Sequence, residues 1–427
     1  MNTNESMIEA LDGLCRFASV AEPSENECAP YGREVNGALR YALELCESFG
    51  FRTKNCDNKI GYAEIGQGEE IIGILVHLDV VPAGSGWDYE PYAATCDGDR
   101  IYGRGVSDDK GPAITCIYAM KDLLDSGAAL NRRVRIIFGQ TEESGDWTDM
   151  DYYKATEELP VMGFTPDGDF PAMYGEKGIA IMRLTMAAET AGFLTAQAGV
   201  AANVVPDQAG ASLRTKDGTV REFSAGGKSA HASMPEDGDN AISHLMEQIA
   251  ASGLPCGFAD FYQDCIGFDY NGGRAGIGFE DGQSGKLTLN AGMLRLEGEN
   301  CELTVDVRYP VTYKLDQVVD ALGERVRPYG VTLEVMEQIG PVYMAKDGEL
   351  ITALLKVYRD LTGDDSEPTV VGGGTYARAM DNIVAFGPML PGRELTEHQK
   401  NEYILREDFF LLREIYRKAI EALAGGK

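Results

Sequence analysis

The chain has 427 residues, which at ~150 residues per domain allows two or three domains. Hydrophobic residues make up 44% and charged residues 25%, which excludes wholesale disorder and a fibrous repeat. Lys and Arg number 38 against 68 Asp and Glu, a formal net charge of −30, and so acidic a surface repels phosphate backbones and anionic lipid, so neither nucleic acid nor a membrane is expected as a partner.

In chain order, residues 5–20 read as an amphipathic helix with Ile8, Leu11, Leu14 and Phe17 on one side. A second helix runs from about Gly32 to Ser48 on a Val35, Leu39, Ala42, Leu43 and Cys46 stripe, with Gly50 as its stop. The period then changes. Ile71 to Val76 is a continuous apolar run, suited to a strand buried on both faces of a parallel sheet. Asp97-Gly98 marks a hairpin turn, 110–125 reads as helix, Val134 to Phe138 as a second buried strand, and 145–158 as helix. After about Lys177 the texture shifts to strands at 179–186, 286–297, 301–309 and 331–338 with helices at 238–252 and 313–327. From about Asp347 the chain returns to helix (347–361), a Gly372-Gly373-Gly374 turn, a strand (383–387) and a closing helix (403–424). The expected architecture is an α/β domain, a mostly parallel mixed sheet between helices formed by residues 1–180 and 344–427, with an α+β unit inserted at 181–343.

The nine cysteines are scattered and never spaced as CxxC, which argues against a disulfide framework or a structural zinc site and for a reducing cytoplasm. The N-terminus carries no basic segment followed by an apolar one, so no signal peptide is expected, and no apolar run approaches the ~18 residues that span a membrane.

The chemistry-bearing residues cluster at strand ends, where ligand sites of open α/β sheets lie. His77 and Asp79 form an H-x-D pair directly after the first buried strand: the imidazole can bind a metal through one nitrogen while Asp79 accepts a hydrogen bond from the other. Asp108 and Asp109 open a helix behind a glycine-flanked loop, Gly103 to Gly111. Glu142 and Glu143 follow the second buried strand. On an extended backbone they point in opposite directions, which suits one to a metal and the other to a base. Asp167 sits in a turn, Thr165-Pro166-Asp167-Gly168, and His398 lies just before the last helix. Each alone has an ordinary structural explanation, such as an N-cap, an acidic loop or a turn. Together they supply a carboxylate and imidazole set for two hard or borderline divalent ions with one shared carboxylate.

The segments HLDVVPAGSGWDYEPY, GRGVSDDKGP, TEESG, TPDGDFP and EHQKNE, in this order, resemble the dinuclear metallopeptidases that include aminoacylases, carnosinases and glutamate carboxypeptidases. GFTPDGDFPAMYGEKG, GKSAHASMPEDGDNA and GGGTYARAM look like the PepV-type dipeptidase branch, and the resemblance covers essentially the whole chain. Gly168 stands where that branch often has alanine, which leaves Asp167 untouched.

The resemblance implies that His77 and Asp167 bind one ion, Glu143 and His398 the other, and Asp108 both, with a cis peptide between Asp108 and Asp109. It implies that Asp79 orients His77 and that Glu142 is the general base. The inserted unit would be a lid whose His231 reaches the reacting carbonyl, with Asn203 and Arg308 gripping the substrate and the Gly373 backbone lining its pocket. His244 matches no motif and is read as structural. Two divalent ions are implied, Zn²⁺ first, with Mn²⁺ or Co²⁺ suited to the same donors. The implied activity is metal-dependent hydrolysis of short unblocked dipeptides, by a monomer in preference to a homodimer. A deacylase of N-acyl amino acids with the same site is the alternative, and a catalytically silent binding protein the remote one.

Overall fold

The computed structural model describes residues 3–145 and 147–425. Asp146, inside the helix expected over 145–158, and the terminal residues 1–2 and 426–427 of the expected domain bounds lie outside the described residues. The elements, in chain order, are α1 (Thr3–Cys15), α2 (Arg33–Ser48), β1 (Arg52–Cys56), β2 (Ile60–Ile65), β3 (Ile71–His77), α3 (Lys110–Asp125), β4 (Arg133–Gly139), α4 (Thr148–Thr156), β5 (Met162–Thr165), β6 (Gly178–Ala187), β7 (Phe193–Ala198), β8 (Gln208–Arg214), β9 (Val220–Gly226), α5 (Ala241–Ala251), α6 (Gly257–Cys265), β10 (Thr288–Glu297), β11 (Asn300–Tyr309), α7 (Leu315–Val326), β12 (Thr332–Ile339), α8 (Glu349–Thr362), β13 (Ile383–Ala385) and α9 (Arg406–Ala424), besides shorter pieces. They form two compact units, one of Met1–Tyr174, Met344–Thr369 and Thr375–Lys427, the other of Gly175–Tyr343 and Val370–Gly374.

In the first unit the strands run in the order β1-β2-β4-β3-β5-β13. The outer pairings, β1 with β2 and β2 with β4, are antiparallel, and the inner three are parallel, so the sheet is mixed. All seven residues of β3 are buried, as a continuous apolar run requires when helices cover both faces. Leu75 and Ile137 pack with Met150 and Tyr153 of α4, while α9 packs on α3 and α8. A short hairpin, Thr95–Asp97 with Arg100–Tyr102, turns where Asp97-Gly98 signals it. The strands β1 and β2 lie in a stretch with no element expected. Arg52–Cys56 is polar because it is a mostly exposed edge, and polar edges carry no apolar signal. α1 stops at Cys15 rather than near residue 20. Val80 N–H donates to Ser19 O at 3.0 Å and the Ser19 hydroxyl donates to Leu78 O at 2.6 Å, which holds this segment extended beside the end of β3.

Close approach of two backbones at the centre of this sheet depends on Gly163. It lies opposite Gly73 in the β3–β5 pairing, and a Cβ added there would sit 1.9 Å from the Gly73 carbonyl oxygen. A backbone carbonyl in a buried ladder cannot swing aside. Gly163→Ala is therefore expected to cost about 1–3 kcal/mol, at the upper end of that overpacking range, read as a lowered urea midpoint at unchanged slope. An unchanged midpoint would show that the strands can part without cost.

The second unit is a seven-stranded antiparallel sheet, order β9-β8-β7-β10-β11-β6-β12. Ile242, Leu245 and Ile249 of α5, Phe258 and Phe261 of α6, and Val318 and Leu322 of α7 share its core with Met182, Leu184, Leu303 and Val305. The strands β7 to β9 were not expected, because their inward positions are largely alanine and β9 is mostly exposed, so their alternation is faint. His244 on α5 pairs with Asp239 at 2.6 Å and lies edge-on to Phe268. Among the described residues no helix is long and apolar enough to cross a membrane.

Candidate metal centre

His77 ends β3 and is almost fully buried. Its backbone N–H donates to the Asp109 carboxylate at 3.1 Å. Its Nδ1 lies 3.0 Å from the backbone carbonyl of Asp79 and 3.6 Å from the Asp79 carboxylate. A carbonyl can only accept, so Nδ1 donates to it, and in the neutral imidazole Nε2 is then the nitrogen whose lone pair can hold a cation. The expected partner was the Asp79 side chain, and the nearer acceptor is its main chain. The side chain does something else: its two oxygens accept the N–H groups of Glu142 at 3.2 Å and Glu143 at 2.9 Å.

His77 Nε2 faces Asp108 Oδ1 at 2.9 Å and Asp167 Oδ2 at 4.0 Å. The other oxygen of Asp108 lies 3.0 Å from His398 Nε2, which is also 3.0 Å from Glu143 Oε2. One carboxylate therefore presents an oxygen to each of two imidazoles. The peptide bond joining Asp108 to Asp109 is cis. Glu142 and Glu143 occupy a turn beyond β4, not the strand, and the Asp79 carboxylate pins both of their amides. His77, Glu142 and Asp167 bring ligand atoms within 4.8 Å of one another, and so do His77, Asp108 and Glu143. Glu142 thus stands within ligand reach, although only a base role was expected for it.

The donor chemistry fits divalent cations. Burial raises the carboxyls of Glu142 and Glu143 above the usual range, and neighbouring carboxylates, Asp167 and Asp108 among them, push the same way. Burial disfavours a charged His77, but Asp108 and Asp79 outweigh it and hold this imidazole well above its usual value. His398 is pushed up to about 11 by hydrogen bonds to Asp108 and Glu143. Burial alone would raise Asp108. The two histidines outweigh it and hold it well below the usual range. Carboxylates this close need positive charge between them, which divalent ions supply.

Two buried groups that sequence reasoning passed over support the Glu142 turn. Asp149 accepts the N–H groups of Gln140 and Thr141 at 2.5 and 3.2 Å and the Tyr376 hydroxyl at 2.7 Å. Tyr376 also accepts the Thr141 N–H at 3.1 Å and lies edge-on to His77. Their only trace in the sequence is Tyr376's place in GGGTYARAM.

The remaining expected residues lie in the second unit. His231 pairs with Val204 in an isolated β-bridge, and its Nδ1 meets the Ser233 hydroxyl at 2.7 Å. Ala232 N–H donates to Asn203 O at 2.9 Å, so Asn203 and His231 belong to one pair of adjoining loops. Asn290 donates to the carbonyls on either side of Asn203, those of Ala202 and Val204. Arg308 is buried and held by Asp306 through Nε and Nη2, both at 3.0 Å, while its Nη1 donates to Gly372 O beside Gly373 at 2.5 Å. Asn203 and Arg308 line one depression of about 470 Å³ with Asp306, Ile179, Ile181 and Met293.

The profile of "Peptidase family M20/M25/M40" matches residues 73–422. The Bacillus subtilis (strain 168) protein named "Putative dipeptidase YtjP" is 37% identical, covering 98% of this chain and 97% of that one. Human carnosine dipeptidase 1 shares the fold at a TM-score of 0.63 and 13% identity, covering 99% of this chain and 96% of the other. Bacillus subtilis YXEP, described as a dinuclear metal binding peptidase of the M20 family, matches at a TM-score of 0.55 and 13% identity over 98% and 99% of the two chains. By the extent of the profile match and the full-length similarity, this chain belongs to peptidase family M20/M25/M40 and is a metallopeptidase.

Proposed function

We propose that the protein is a dinuclear metal-dependent dipeptidase that hydrolyses short unblocked dipeptides. The observation that carries this is Asp108, whose two oxygens each meet a different imidazole. His77 and Asp167 would hold one ion, Glu143 and His398 the other, and Asp108 both. Zn²⁺ is the ion assigned, with Mn²⁺ and Co²⁺ compatible with the same donors. When bound, the pair supplies Lewis acidity, which acidifies the attacking water and polarises the scissile carbonyl.

The chain's own groups do the rest. Glu142, whose carboxyl burial holds above the usual range, takes a proton from the attacking water and returns it to the leaving amine. Asp79 keeps His77 in the tautomer that leaves Nε2 for the ion, and it holds the Glu142 turn through that residue's amide. The inserted unit acts as the lid: His231 donates to the developing oxyanion, Asn203 and Arg308 bind the substrate's polar ends, and the backbone at Gly373 lines the pocket. Arg308 is preset for this, because Asp306 fixes its guanidinium plane before substrate arrives. Gripping both ends favours short substrates. A reducing cytoplasm suits the nine free cysteines, and we assign a monomer there.

The deciding experiment gives chelated protein, reloaded with Zn²⁺ or Mn²⁺, Ala-Ala and N-acetylalanine side by side. Hydrolysis of Ala-Ala only, and only with metal, is expected. Preference for the acetylated substrate would make the enzyme a deacylase, and no turnover of either in any metal would remove the catalytic reading.

A further inference from the structure

We propose that Glu402 is a positioning residue of the metal centre: its buried carboxylate shapes the loop that presents Asp108 and ties that loop to the one carrying His398. The proposal rests on the reading of Asp108 and His398 as metal ligands.

Glu402 is fully buried. Its Oε1 accepts three backbone N–H groups, from Gly105 at 3.0 Å, Ser107 at 3.0 Å and Asp108 at 3.3 Å. Its Oε2 accepts Arg104 Nη1 at 2.6 Å, and its main-chain carbonyl accepts the Gly103 N–H at 3.0 Å. Residues 103–108 therefore curl around one carboxylate, and the last amide it holds is that of Asp108 itself. Such a curl needs backbone angles that side chains resist. Gly105 has φ +88, and Gly103 has φ +157 with a Cβ site only 1.9 Å from the Ala93 carbonyl oxygen.

The same residue registers the other loop. His398 lies four residues earlier and Asn401 directly before, with φ +62 and +59. The Asn401 side chain accepts the Asp88 N–H at 2.9 Å and donates to the Asp88 carboxylate at 2.8 Å. Ser107 Oγ reaches Glu397 Oε1 at 3.4 Å. Thus the segment 397–402 is bonded to the 103–108 loop at both ends, and Asp108 and His398 are brought to 3.0 Å of each other.

Stability alone does not explain this arrangement. Removing a carboxylate and a guanidinium from water is costly, and apolar residues of similar volume often replace a buried ion pair without loss. Here the carboxylate also collects the amide of a ligand residue, which an apolar side chain cannot do. Partners of this kind orient ligands and typically change metal affinity about 10–100-fold when lost.

The test uses the full chain, freed of metal and titrated with Co²⁺, with ions per chain, affinity and the visible Co²⁺ spectrum as readouts beside the melting temperature of the metal-free protein. Glu402→Gln retains the shape but sets an amide N–H₂ against Arg104. It is expected to bind Co²⁺ about 10–100-fold more weakly with an altered spectrum. Arg104→Lys, which keeps the charge, should restore most of the affinity lost in Arg104→Gln. Wild-type affinity and spectrum in Glu402→Gln, with only a lower melting temperature, would reduce Glu402 to a structural residue and overturn the proposal. If Glu402→Gln does not fold, Arg104→Gln is read by the same two outcomes. Failure of the wild-type chain to bind two ions would instead overturn the ligand reading, and the proposal with it.

Discussion

Glu142→Gln is expected to lower kcat for an unblocked dipeptide by about 10²–10⁴-fold, or roughly 3–5 kcal/mol of barrier, while two metal ions stay bound. The amide is nearly isosteric with the carboxylate, so packing beside His77 and Asp167 persists. It cannot take a proton from the attacking water, and it has none to give the leaving amine. Because both transfers fail, KM should change little and the loss should fall in kcat. Metal analysis of the same preparation decides the interpretation. If two ions remain and kcat collapses, Glu142 is the base. If an ion is lost along with activity, Glu142 is a ligand, as its place within 4.8 Å of the His77 and Asp167 ligand atoms also permits. Near-normal kcat with both ions bound would remove Glu142 from the mechanism.

Asp108→Asn is expected to be as damaging for a different reason. Its two oxygens lie 2.9 and 3.0 Å from the His77 and His398 nitrogens, and an asparagine has only one oxygen to offer. One ion site would lose its shared anion, and the amide N–H₂ would point donors at whichever side it faces. Dialysed protein should fall from two ions per chain to one or fewer. If each ion supplies several kcal/mol of transition-state stabilisation, kcat/KM should drop about 10³-fold. A variant that keeps two ions would show that Asp108 does not bridge them. Asp108 also lies on the loop held by Glu402, so Asp108→Asn and Glu402→Gln should not combine additively in metal affinity.

Much of the fold could be read locally. The IIGILV run predicts a strand covered on both faces, and β3 is that strand because its five large apolar side chains, divided between the two faces, are accommodated only by burial on both. The helix expected at 110–125 runs over Lys110–Asp125. The edge strands β1 and β9 escaped notice because exposed positions carry no hydrophobic period, and β7 and β8 because alanine marks an inward face weakly.

The site divides along the same line. The motifs and the resemblance they carry named the candidate ligands, His77, Asp108, Glu143, Asp167 and His398, and the candidate base, Glu142, since short segments rich in histidine and carboxylate are local features. The sequence by itself also determined the acidic surface, the absence of a disulfide pattern and membership of an α/β class. Only the tertiary structure decided which oxygen of Asp108 meets which imidazole, that Asp79 serves His77 by its carbonyl and the Glu142 turn by its carboxylate, and that Glu402 collects amides 294, 295 and 297 positions away. The reason is physical. A hydrogen bond between distant segments leaves no period, spacing or composition in either of them, so it exists only once the chain has brought the two together.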